Sequence, residues 1–232
     1  MDQRQTLHIT QLSSIAFASG AELFGVADLT KIKPDDFLLD SNLLAKFRFA
    51  LSIAKRLSRA VLEEIESYPT KLYFHHYRTV NMFLDQLATK IASAIEKANY
   101  LALPIPASQI VDWQNQRGHL SHKRIAQAAG LGWIGRNNLL VTPEYGAQIR
   151  LVTIPTDMPI PDSEFPIPNS EPNGCGDCYE CIKVCPAQAI KEKEEDFDHI
   201  KCFEQLKEFQ KKGYSSQYIC GICVKACKGI KH

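Results

Sequence analysis

The placement of the cysteines constrains this chain more than any other feature. All eight lie between Cys175 and Cys227, in the C-terminal quarter of a 232-residue sequence. The first four read Cys175-x2-Cys178-x2-Cys181-x3-Cys185-Pro186, and the second four are Cys202 followed by Cys220-x2-Cys223-x3-Cys227. Two residues between cysteines let a short loop wrap one cubane with successive sulfurs turned inward. The x3 step carries the chain to a neighbouring cube, and Pro186 cannot continue a helix from within. In this bacterial iron–sulfur spacing the fourth cysteine ligates the other cluster. The expected ligand sets are therefore Cys175, Cys178, Cys181 and Cys227 for one [4Fe–4S] cluster, and Cys185, Cys202, Cys220 and Cys223 for a second. Structural zinc uses paired C-x2-C knuckles at longer separations, and a disulfide framework requires an oxidising compartment. Neither accounts for x2-x2-x3.

Composition narrows the setting. A hydrophobic content of 45%, a charged content of 23% and a net charge of +1 describe a globular chain with no field directed at nucleic acid or an anionic membrane. The N-terminus MDQRQTLHIT has no apolar signal core, and no run approaches the ~20 apolar residues of a membrane span. With the thiols reserved for metal, a reducing, cytoplasmic location without membrane partners is expected.

Two domains are expected, an α/β domain over residues 1–168 and a cluster module over 169–232. A helix is read over Leu12–Leu23, with strands at Leu23–Ala27 and Phe49–Ala54. Val80, Phe83, Leu84, Leu87, Ile91 and Ile95 recur at helical spacing and predict a long helix from Tyr77 to Ala98 with a core-facing stripe. Leu101–Pro106 reads as extended. Ser121 is placed as the cap of a short helix ending at Ala129, with Gly130 at C′. Leu139–Thr142, the turn Pro143–Gly146 and Gln148–Pro155 read as a hairpin, and the proline-rich stretch from Pro155 to Pro172 as a stiff linker. The charged segment Lys191–Lys212 reads as a solvated helical face.

Gly130-Leu-Gly-Trp-Ile-Gly135 fits G-x-G-x-x-G, but it follows a helix and precedes a strand, the reverse of a dinucleotide fingerprint. It serves either as a tight connection or as a loop whose backbone approaches a planar ligand.

The run Ala126–Leu151 (AQAAGLGWIGRNNLLVTPEYGAQIRL), followed by this cysteine order, resembles the epoxyqueuosine reductases and, more distantly, the reductive dehalogenases. The segments YFHHYRTVNMFLDQLATKI and LALPIP fit the same resemblance. It implies an α+β protein: a nitroreductase-like α/β domain that binds cobalamin base-off, then a ferredoxin-like module with two [4Fe–4S] clusters. FMN is the alternative organic cofactor. The implied activity is that of an oxidoreductase, or of an electron-transfer protein docking a redox partner. Arg117, Gly118, Lys123, Gly132, Trp133, Gly135, Arg136 and Asn137 become the cofactor-binding candidates. The family's catalytic aspartate aligns without gaps to Gln116, which cannot give up a proton as a carboxylic acid does. Asp112 reaches the position only with a four-residue shift. Gln116 and His119 are the catalytic candidates, with His122 nearby as a second imidazole. The family's helical-repeat region, which helps hold tRNA, has no counterpart after His232, so tRNA is not an expected partner. A low-potential electron donor and a small-molecule substrate or a redox protein are.

Overall fold

The computed structural model describes residues 7–33, 37–161 and 174–229. In chain order the elements are α1 (Ile9–Ala18), β1 (Leu23–Asp28), α2 (Ser41–Leu44), β2 (Phe49–Arg56), α3 (Arg59–Glu63), α4 (Lys71–Lys97) and α5 (His122–Ala128). They continue with β3 (Trp133–Ile134), β4 (Leu140–Val141), β5 (Ile149–Thr156), α6 (Glu180–Val184), α7 (His199–Lys211) and α8 (Ile222–Ala226). The fold is mixed helix and sheet, and no helix among the described residues is long and apolar enough to cross a membrane.

The chain divides into two compact units, and not at a single point. One comprises the described parts of Met1–Lys55, Asn81–Leu131 and Arg150–Asn169; the other comprises those of Arg56–Val80, Gly132–Ile149 and Ser170–His232. The cysteine-bearing unit thus also takes in residues 56–80 and 132–149, which lie upstream of the expected boundary at 168/169. Long-range packing of this kind leaves no mark in composition.

The first unit is built on a sheet of order β1-β2-β5. β1 and β2 run antiparallel from Leu23↔Ala54 to Asp28↔Phe49. Phe49 to Ala54 are all buried, Ser52 among them, as a mainly apolar run in a central strand leads one to expect. Ala102 and Ile105 bridge to Thr156 and Thr153 of β5, so the expected extended segment adds to the same sheet. Ala27, Leu29, Phe47, Ala50, Ile105, Leu120, Ile125 and Ala129 form a core cluster of this unit.

α4 begins six residues before its expected start, with Thr70 Oγ1 accepting from Tyr73 N at 3.0 Å. The stripe positions Val80, Leu84, Leu87, Ile91 and Ile95 are buried and Phe83 is half-buried. α5 follows Ser121, but the serine makes no side-chain cap bond; Gly130 has φ +75°, as a C′ glycine should.

The hairpin forms one element earlier than the sequence suggests. β4 pairs back onto β3 (Trp133↔Val141, Ile134↔Leu140), while β5 joins the three-stranded sheet. A tight turn in which Thr142 and Gly146 exchange backbone hydrogen bonds at 2.9 Å separates β4 from β5. Most of the expected proline-rich linker lies outside the described residues. α7 buries only Phe209, in keeping with a solvated charged face.

Candidate metal centre

The second unit repeats one device twice. Cys181 sits in the first turn of α6 and Cys185 is its C-cap; Cys223 sits in α8 and Cys227 is its C-cap. Both caps are extended, with φ/ψ of −69°/110° and −88°/103°. One turn of helix between the two thiols, followed by an extended residue, sends the second thiol away from the first. The x3 spacing is the sequence form of that turn.

The thiols gather in two neighbourhoods. Loss of solvent pushes Cys181 up to about 11, and the thiols acting on it are Cys227, Cys175 and Cys178. Desolvation likewise pushes Cys202 up to about 11, with Cys185 adding to it, and Cys220 up to about 12, with Cys202 and Cys185 adding. Cys223 is raised well above the ordinary thiol value by desolvation and then by Cys220, Cys202, Cys181 and Cys185. Cys227 is raised by desolvation, with Cys175 and Cys178 as its thiol neighbours.

Among the described residues no three His, Cys, Asp or Glu side chains converge on a single-ion site. Mononuclear zinc would hold its sulfurs about 2.3 Å from one centre.

Several side chains of the same unit brace these loops. Arg136 donates to the carbonyls of Cys178 (3.0 Å), Gly176 (2.8 Å) and Glu192, and lies 4.5 Å over the Tyr179 ring. Trp133, buried, donates through Nε1 to Cys175 Sγ at 3.3 Å. Lys225 of α8 donates to the carbonyls of Glu63 and Ile65, and Gln148 Nε2 to Lys225 O at 3.0 Å. Asn137 Oδ1 accepts from Leu139 N, while its Nδ2 is buried with no hydrogen-bond partner among the described residues. A cleft of about 1310 Å³ opens beside Cys175, Cys178 and Cys227, with Arg56, Arg59 and Tyr145 on its walls.

The comparisons with known proteins meet this geometry. Residues 174–229 match the 4Fe-4S double cluster binding domain family. The epoxyqueuosine reductase of Bacillus anthracis is 32% identical over 152 residues, 62% of this chain and 36% of that protein. The chain is a homologue of the epoxyqueuosine reductases. It spans about a third of the length of that curated relative.

Solved structures extend the likeness in fold. A reductive dehalogenase described with a mechanism for B12-dependent dehalogenation aligns over 93% of this homologue and 30% of its own chain, with TM-score 0.69 and 18% identity. An epoxyqueuosine reductase bound to an epoxyqueuosine-modified tRNA-Tyr stem loop aligns over 83% and 54%, with TM-score 0.53 and 18% identity.

The candidates read from the sequence of this homologue fall in both units. Gly132, Trp133, Gly135, Arg136 and Asn137 belong to the cysteine-bearing unit; Gln116, Arg117, Gly118, His119 and Lys123 belong to the other. Packing accounts for the first two glycines: a Cβ on Gly132 would stand 2.0 Å from Val141 O, and one on Gly135 2.6 Å from Val141 Cγ2. Gln116 is half-buried with φ +54°, in a turn closed by the Asp112↔Arg117 bridge. The Asp112 carboxylate accepts from the Asn115 side chain and from the backbone of Asn115 and Gln114, which hold it below the usual range. It is therefore ionised near neutral pH and holds no proton to donate. The His119 carbonyl accepts from Leu38 N and Leu39 N. Lys225, Gln148, Gly146 and Gly229 were not singled out from the sequence; the glycines in PEYG and CKG were the available signal.

His122 is locked rather than reactive. Nε2 lies 2.9 Å from Pro106 O and Nδ1 2.8 Å from Thr153 Oγ1. A carbonyl only accepts, so Nε2 carries the hydrogen and Nδ1 accepts from the hydroxyl. Enclosure depresses its pKa to about 4 against the pull of the Pro106 carbonyl, and the Arg150 charge adds to the depression. The unfolded chain binds the proton near pH 6.5. Stability from this group is thus complete above pH 6.5 and falls as pH drops toward 4, by ~1.4 kcal/mol at pH 5.5. Urea unfolding at pH 7.5 and 5.5 checks this: the native chain should lose that much more than His122→Gln. Equal losses would contradict the assignment.

Proposed function

We propose that this homologue is an iron–sulfur reductase in which Cys175, Cys178, Cys181 and Cys227 hold one [4Fe–4S] cluster and Cys185, Cys202, Cys220 and Cys223 the other. The carrying observation is that Cys227 and Cys175 pack against one apolar cluster, while Cys185 acts on the thiols of Cys202 and Cys220. In this reading the clusters take single electrons from a low-potential donor and pass them to an organic cofactor. Cobalamin is the cofactor favoured, on the B12-dependent dehalogenation described for the dehalogenase of similar fold. When bound it supplies a strongly reducing cobalt centre. The sequence-derived contacts toward it in the first unit are Arg117, Gly118 and Lys123, in a nitroreductase-like fold. The substrate belongs to the class of electrophilic carbon compounds, epoxides or organohalides. The epoxide of a modified tRNA base stays among the candidates, since a relative holds that ligand.

Gln116 at the aligned acid position and the ionised Asp112 favour a second reading, an electron-transfer protein that reduces a partner. One experiment separates these. The full chain is reconstituted anaerobically with iron and sulfide, then titrated with cobalamin and, separately, FMN. About eight irons and eight sulfides per chain are expected, with a cobalamin spectrum that shifts on binding. Zinc in place of iron would sink the cluster assignment. Clusters without any corrinoid response would leave the electron-transfer reading.

A further inference from the structure

Trp133 sets the reduction potential of one cluster and not of the other, we infer. This rests on the ligand assignment above. Trp133 packs with Val141 and Ala147, and Cys175 and Cys227 pack against the same cluster. Leu or Phe would fill that space equally well with apolar surface. Only tryptophan adds a ring N–H, and that donor is aimed at Cys175 Sγ from 3.3 Å.

The ring has little freedom to turn away. The β3–β4 pair fixes its backbone through Trp133↔Val141, and the indole is 7% exposed. A buried indole N–H keeps whatever partner it has, because an unpaired donor is costly. Here the partner is a sulfur expected to bind iron.

Reduction adds one electron, and the added negative charge spreads onto the cysteine sulfurs. An N–H aimed at such a sulfur stabilises the more negative state, since hydrogen bonds to charged acceptors are the stronger ones. Hydrogen bonds to the sulfurs are among the terms that set cluster potentials. Removing this donor therefore makes the first cluster harder to reduce. The second cluster, with no ligand touching Trp133 in this grouping, keeps its potential.

The test uses the reconstituted full chain in an anaerobic redox titration followed by low-temperature EPR. Two one-electron waves are expected, and the one altered in Cys175→Ser marks the first cluster. In Trp133→Phe that wave should move to lower potential, so that the reduced-to-oxidised ratio at fixed poise drops about tenfold, equivalent to about 59 mV. The other wave should stay in place. Benzothienylalanine introduced at position 133 keeps the bicyclic shape without the N–H, and should reproduce the Phe result. It also decides the matter if the phenylalanine chain fails to fold. No shift, an equal shift of both waves, or a shift with Phe that benzothienylalanine does not reproduce would each overturn the inference. A native chain that takes up no iron and sulfide overturns the ligand assignment itself.

Discussion

Cys227→Ala should damage the cluster held by Cys175, Cys178 and Cys181, although 45 positions separate it from Cys181 and 3 from Cys223. Cys185→Ala should damage the other. The reason lies in the two capping cysteines. α6 and α8 each end on a thiol in extended conformation, so the last cysteine of each run turns away from the thiol one helical turn before it. Cys227 has Cys175 and Cys178 as its thiol neighbours, and Cys202 and Cys220 both have Cys185. Grouping by sequence proximity predicts the opposite outcome. Double variants discriminate sharply. Cys175→Ala with Cys227→Ala should lose no more than one cluster, whereas Cys202→Ala with Cys227→Ala should lose both. Iron content per chain and EPR of the reduced protein read this directly. Full loss in the first pair would refute the crossed arrangement. Because structural metal sites carry folding free energy, each single variant should also unfold more readily.

How far the sequence carried depends on whether the signal was local. The cysteine runs encode their own geometry, since x2 and x3 are distances along one loop and one helical turn. The strands at Leu23 and Phe49 and the stripe of α4 were legible for the same reason: period and burial act within a window of a few residues. The failures share a physical cause. Gln148–Pro155 looks like the return strand of Leu139–Thr142, because both runs are apolar and a turn lies between. The pairing is decided elsewhere, by β4 closing on β3 and by β2 taking β5 as its neighbour.

Arg136 illustrates the same limit within the site. Beside a glycine-rich loop it reads as a brace for that loop and a cofactor contact, and its guanidinium spans the carbonyls of Gly176, Cys178 and Glu192. Those acceptors lie forty and more positions downstream. No local pattern announces them. A planar fork of five donors suits that bracing task better than a lysine would.

Gly146→Ala should be among the most damaging single-methyl changes in the chain. Gly146 has φ +58°, where a side chain is strained, and a Cβ there would stand 2.2 Å from Cys227 O and 2.4 Å from Gly229 N. Gly229 mirrors it at φ +79°, its Cβ falling 2.3 Å from Pro143 O. Two backbones touch along this seam. A flexible side chain could swing aside, but a carbonyl moves only if its residue moves, and that residue is the crossing cysteine. Gly213→Ala provides the control, because φ is +75° there and no described residue lies within 4 Å of the added methyl. The control should cost ~1–2 kcal/mol of left-handed strain. Gly146→Ala should cost that and a further ~1–3 kcal/mol for overpacking against backbone. It should also lower the iron bound by the first cluster, which Gly213→Ala leaves intact. Denaturant unfolding and iron analysis of both variants give the comparison. If Gly146→Ala binds full iron and is no less stable than Gly213→Ala, the seam does not position Cys227.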